Sequence, residues 1–64
     1  MKPGMIVAIY CDPLTEQQIE GEAKLKRCLD NNCGKHNGRR LERWRVIFNG
    51  DHGLWVDRNI LSID

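Results

Sequence analysis

Thr15-Glu16-Gln17-Gln18-Ile19-Glu20-Gly21-Glu22-Ala23-Lys24-Leu25-Lys26-Arg27-Cys28-Leu29 is the stretch on which the fold turns. Thr15 and Gln18 match a capping box, in which a hydroxyl and a side-chain amide satisfy the orphan N–H groups of a helix start. A helix from Glu16 to Leu29 scatters its apolar side chains, however. Ile19 and Ala23 share one side, while Leu25, Cys28 and Leu29 lie well round from them. Gly21 in the interior of such a helix costs about 1 kcal/mol. As a strand, the same residues put Ala23, Leu25 and Leu29 on one face and Glu20, Glu22, Lys24 and Lys26 on the other, broken only by Arg27. The alternation favours the strand. Leu14 to Ile19 is then a long excursion holding at most one helical turn.

Working outward, Met5-Ile6-Val7-Ala8-Ile9-Tyr10-Cys11 reads as a first strand, partly covered on both faces. Pro13 has no N–H to give a ladder, so the chain should leave the sheet at Asp12-Pro13. Asp30 to Gly38 is a loop by composition. In Leu41 to Phe48, Trp44, Val46 and Phe48 alternate with Arg43, Arg45 and Ile47, which is the clearest strand signal in the chain. Asn49-Gly50-Asp51-His52-Gly53 reads as a hairpin turn, because Asn-Gly accepts positive φ at little cost. Leu54-Trp55-Val56 is a short strand, Asp57-Arg58-Asn59 a tight turn, and Ile60 to Ile63 a last strand. The expectation is one mainly β domain over residues 1–64, with five strands and a long loop after the first.

Sixty-four residues hold one thin core, a size at which apolar burial and ordering entropy nearly cancel. The composition, 41% hydrophobic and 30% charged with a net charge of +1, is that of a globular chain rather than a disordered tail. No run approaches the length of a membrane span, and no export signal is visible. Three cysteines cannot all pair within one chain, so reduced thiols in the cytoplasm are expected.

The order of five short strands, a long loop, a hairpin and a turn before the last strand resembles the SH3-like small barrels over nearly the whole chain. Pro3-Gly4 ahead of Val7 and Ile9 is similar to the lead into many bacterial SH3-like and KOW-like domains. Ala8-Ile9-Tyr10-Cys11-Asp12 is similar to the first-strand motif of eukaryotic SH3 domains, whose first tyrosine matches Tyr10. The chain departs from that family after Asn49-Gly50, where no paired tryptophan follows. It departs again at Arg58-Asn59-Ile60, where the proline and tyrosine of the peptide groove are missing. The resemblance therefore implies a barrel without the proline-peptide function. The strand Glu42-Arg43-Trp44-Arg45-Val46 also resembles, in style, uncharacterised proteins of phages and mobile elements.

Charge is unevenly spread. Residues 24–45 hold eight Lys or Arg against Asp30 and Glu42, a local +6, while residues 1–23 sum to −3 and residues 46–64 to −2. If the second and third strands bury Leu25 with Trp44 and Val46, parity puts Lys24, Lys26, Arg43 and Arg45 on one outer face. Either register then sets Lys26 opposite one of the two arginines, a like-charge apposition that costs a fraction of a kcal/mol. Lys35, Arg39 and Arg40 continue the stripe into the loop. Such a surface suits an acidic protein partner or phosphates. The simpler alternative is a solvated face neutralised by Glu20 and Glu22. Trp55, placed by alternation opposite Leu54 and Val56, is expected to be partly exposed with Tyr10 as an interface anchor, whereas Trp44 belongs to the core.

Cys28, Cys33 and His36, with Cys11 or His52 as a fourth donor, are the set a zinc ion would use, but no Cys-x2-Cys knuckle is present. Free thiols and no metal are the expectation, with Cys28 on the outer face. Cys33 near His36 lacks an orienting third group, Ser62 stands alone, and no glycine-rich phosphate loop occurs, so neither catalysis nor a cofactor or small-molecule substrate is expected. The sequence thus points to a non-enzymatic module that binds an acidic protein partner. A nucleic-acid-binding small barrel and a zinc-stabilised structural domain are the alternatives.

Overall fold

Val7 and Ile9 turn to one side of the first strand, and Ala23, Leu25, Trp44 and Val46 turn to the same side of the next two, as their alternation requires. The computed structural model describes residues 1–63. Its strands are β1 (Ile6–Tyr10), β2 (Ile19–His36), β3 (Arg39–Phe48) and β4 (Val56–Leu61), joined in one antiparallel sheet in the order β1-β2-β3-β4. The sheet curls until β1 approaches β4, forming a half-barrel. Val7, Ile9, Ala23, Leu25, Trp44, Val46 and Ile60 fill its concave side, with Met1, Cys28, Phe48 and Val56 packed around them. The described residues contain no helix, so the stretch from Ile19 onward is strand, as the alternation predicts. Among them no helix is long and apolar enough to cross a membrane.

Two arginines tie β4 and the end of the sheet back to the chain around the start of β2. Arg58 on β4 donates from Nε and Nη2 to the two carboxylate oxygens of Glu20, at 2.9 and 2.7 Å. Arg39 donates to Glu16 at 2.8 Å and to the Ser62 carbonyl at 2.8 Å. A planar guanidinium meeting both oxygens of a carboxylate fixes geometry as well as charge. These contacts bridge the open side of the half-barrel.

Among the described residues, four strands replace the expected five. The predicted loop Asp30–Gly38 belongs mostly to β2, which runs on to His36 and pairs Lys35 with Arg40 and His36 with Arg39. The reversal is made by Asn37 and Gly38 alone, at φ 52° and 79°. Positive φ at both central residues is the mark of a type I′ hairpin, the turn whose twist matches its strands. Asp57-Arg58-Asn59, expected as a tight turn, lies inside β4 opposite Arg45, Trp44 and Arg43. Its polar side chains are satisfied across the ladder: Asp57 accepts from Arg45 and Asn59 from Arg43, while Arg58 reaches Glu20. Leu54 and Trp55 precede β4, and Leu54, predicted to face inward, is 67% exposed.

The second difference is one of phase. Leu25 pairs with Val46, but Arg27 pairs with Arg45, so Lys26 is an extra residue in the ladder. The bulge reverses parity downstream. Cys28, expected outside, lies opposite Trp44 and packs against the core, and Leu29, expected inside, is exposed. A second shift falls between Cys28 and Asp30, and a third between Asp30 and Gly34. In the third, Asn32 donates its backbone N–H to the Asp30 carboxylate at 2.9 Å.

Candidate functional site

The outer face of the sheet carries two cross-strand rows. Arg27, Arg45 and Asp57 form one across β2, β3 and β4, and Asp30, Arg43 and Asn59 form the next. Because of the bulge, Lys26 and Arg27 both stand over Arg45, so the residue opposite the arginine is Arg27 and not Lys26 as parity predicted. Lys26, Arg27, Arg45, Trp55, Val56 and Asp57 line one open groove. Trp55 is 48% exposed, and the Lys26 ammonium sits 4.4 Å from the centre of its ring. That is cation–π range, in which the ring face attracts the ammonium.

The expected basic stripe is broken by acids. Arg45 and Arg43 share Asp57, at 3.1 and 3.9 Å. Arg39 is held by Glu16, and Arg40 reaches Glu42 at 3.4 Å. Glu20, expected to neutralise the lysines of its own strand, is engaged with Arg58 instead. Among the described residues, Lys24, Lys26, Arg27 and Lys35 form no ion pair. Lys24 is exposed on the outer face opposite Ile47, and Lys35 is exposed near the hairpin turn opposite Arg40. Tyr10 ends β1 opposite Ile19 and does not line the groove. Of the residues singled out by sequence, then, Lys26, Arg45 and Trp55 come together, and Arg27 and Asp57 complete the set. Arg27 had left a trace: it is the residue that breaks the alternation of β2, and such a break is what a bulge leaves in a sequence.

The Arg58 hydrogen bonds hold the Glu20 carboxyl below the ordinary glutamate value, and Glu20 in turn raises Arg58. Burial, followed by the charge of Glu42, pushes the Cys28 thiol up, and burial followed by Asp30 does the same to Cys33. Both are held further from the thiolate that nucleophilic or metal chemistry uses. Among the described residues no three His, Cys, Asp or Glu side chains converge as metal ligands, so Cys11, Cys28, Cys33 and His36 are not brought together. Glu42 is a different case. It is 4% exposed on the core side of β3, where it accepts a 2.8 Å hydrogen bond from the Trp44 indole N–H. The carboxylate satisfies the buried indole and is therefore structural.

Comparison with protein-family models, with curated proteins and with solved structures returns no match. The reading of the site therefore rests on its own chemistry.

Proposed function

We propose that the chain is a non-enzymatic binding module, a small barrel of the SH3-like kind, that docks an acidic protein segment on its outer face. The observation that carries this is the stacked pair of Lys26 and exposed Trp55 beside Arg27 and Arg45 in one groove. An indole held under a cation offers apolar contact area that is already positioned, and the surrounding cations select for acidic neighbours. The groove presents cations, one carboxylate and an indole, and no thiol, hydroxyl or imidazole. That set suits recognition better than bond-making.

The test is a titration of the whole chain with a peptide rich in Asp and Glu, followed in proton–nitrogen spectra. Shifts should centre on the Trp55 indole and the backbone of Lys26, Arg27 and Arg45. Trp55→Ala should weaken binding on the order of tenfold, the range of a moderate interface anchor, and Tyr10→Ala should leave it unchanged. Shifts confined to other surfaces overturn the reading. So does binding of random single-stranded DNA, falling steeply with salt, without binding of the peptide.

A further inference from the structure

We infer that the groove is built for a doubly charged phosphoryl group on a side chain of that partner. The inference rests on the docking reading above and specifies its ligand. Lys26, Arg27 and Arg45 line the groove against a single carboxylate, Asp57, which Arg43 also approaches. Asp57 neutralises one cation at most. Arg27 and Lys26 are left without a carboxylate in reach among the described residues, and the groove keeps a surplus of about two positive charges. A phosphate monoester brings roughly −1.5 to −2 at neutral pH and three strong acceptor oxygens, where a carboxylate brings half that charge.

The backbone explains why the cations meet. At a regular position, successive residues of β2 point to opposite faces. The extra residue at Lys26 instead sets two consecutive basic side chains on one face, against a third on β3. Residues directly opposite on neighbouring strands have their Cβ atoms about 4.5–5.5 Å apart. Arg27 can thus present parallel N–H donors to an oxyanion, and Arg45, whose Nε is committed to Asp57 at 3.1 Å, adds its remaining N–H groups from the neighbouring strand. Trp55 walls one side, a surface for the carbon part of the modified residue.

A nucleic-acid backbone is a poorer match. It spreads single charges along a track, and beyond this groove Arg39 and Arg40 are engaged with Glu16 and Glu42, which leaves, among the described residues, only the separate lysines Lys24 and Lys35 without an ion pair on β2. Of the cations without an ion pair among the described residues, Lys26 and Arg27 meet in this groove, while Lys24 and Lys35 stand apart from it.

The experiment compares two acidic peptides identical except for one phosphotyrosine in place of tyrosine, together with a single-stranded oligonucleotide of matched charge, by Trp55 emission and proton–nitrogen shifts. The phosphorylated peptide should bind on the order of tenfold more tightly than its twin. Arg27→Gln and Arg45→Gln should each erase most of that preference, while Lys24→Gln, outside the groove, should not. Equal binding of the two peptides overturns the phosphoryl inference and leaves the docking face standing. Tighter binding of the oligonucleotide, sensitive to the same variants, overturns it in favour of nucleic acid. If neither peptide perturbs Trp55, the docking reading falls with it.

Discussion

Arg27 stands directly opposite Arg45 across the β2–β3 ladder, and Asp57 answers Arg45 from the far side at 3.1 Å. Like charges in that position work against the sheet by a fraction of a kcal/mol. A fold selected for stability alone has better choices at position 27.

Arg27→Glu should therefore raise stability, by roughly 0.2–1 kcal/mol, while abolishing binding of acidic ligands in the groove. Denaturant midpoints measured at low salt check the first part, and the gain should shrink as salt is added. A variant less stable than the parent would show that Arg27 supports the sheet through contacts of its stem.

The pair of Arg58 and Glu20 couples β4 to the start of β2, and it makes the fold sensitive to acid. Because the Glu20 carboxyl is lowered in the folded chain, its contribution is complete above the ordinary glutamate value. It is lost as the pH falls through the lowered value. Glu20→Gln should reduce the melting temperature at about pH 7, and its effect should shrink progressively as the pH is taken down through the acid range. Both groups are about one-third exposed, and solvent screening keeps the effect modest. A loss that stays constant down to the acid unfolding of the chain would mean that the hydrogen bonds to Arg58, and not the charge, carry the contact.

Glu42 offers a cleaner case, because it is buried beside Trp44. Glu42→Ala strands the indole N–H in the core and should cost about 1–3 kcal/mol. Glu42→Gln keeps an acceptor at the same place and should recover most of that loss. Chemical denaturation followed by the emission of Trp44 measures both, preferably in a Trp55→Phe background so that one indole reports.

At the hairpin, Gly38 has φ 79° and open space where a Cβ would be. Gly38→Ala should cost about 1–2 kcal/mol, entirely through the backbone conformation. The hydrogen-exchange protection of Lys35 to Arg40 should fall before that of Leu25 or Val46. Uniform loss of protection would place the hairpin in the same cooperative unit as the core.

Alternation made much of this legible in advance. Ala23 and Leu25 on one side of β2, and Trp44 and Val46 on one side of β3, are the core that the period of two predicts. The buried Trp44 follows from the same rule, whereas Trp55 is exposed ahead of β4, where Leu54, expected inward, is exposed as well. What escaped was the phase. Lys26 looks like one more outward residue, and only the coordinates place its neighbour Arg27 on the same face and send Cys28 inward. The run Asp30 to Gly38 has a loop's composition, yet all of it except Asn37-Gly38 falls within a strand, because pairing with β3 satisfies the backbone at its far end. Asp57-Arg58-Asn59 looked like a turn because three polar residues in a strand need partners, and those partners lie far away in sequence, at Arg43, Arg45 and Glu20. Ion pairing removed Arg39 from the surface stripe in the same manner, through Glu16.

The irregular pairing of β2 also bears on how this chain tolerates length changes. Upstream of Lys26 the strand keeps step with β1 and the core; downstream of Asp30 it keeps step only with β3. Adding or removing a residue among Asn31, Asn32 and Cys33 can be absorbed locally, leaving the zipper between Gly34 and His36 free to slide or re-form. A single deletion at Lys26 removes the extra residue and leaves Leu25, Arg27 and Cys28 in regular step with Val46, Arg45 and Trp44, so the core thiol keeps its place while the groove loses a cation. The segment thus contains two joints a few residues apart, one at Asn31 to Cys33 that can take up a residue and one at Lys26 that can give one up.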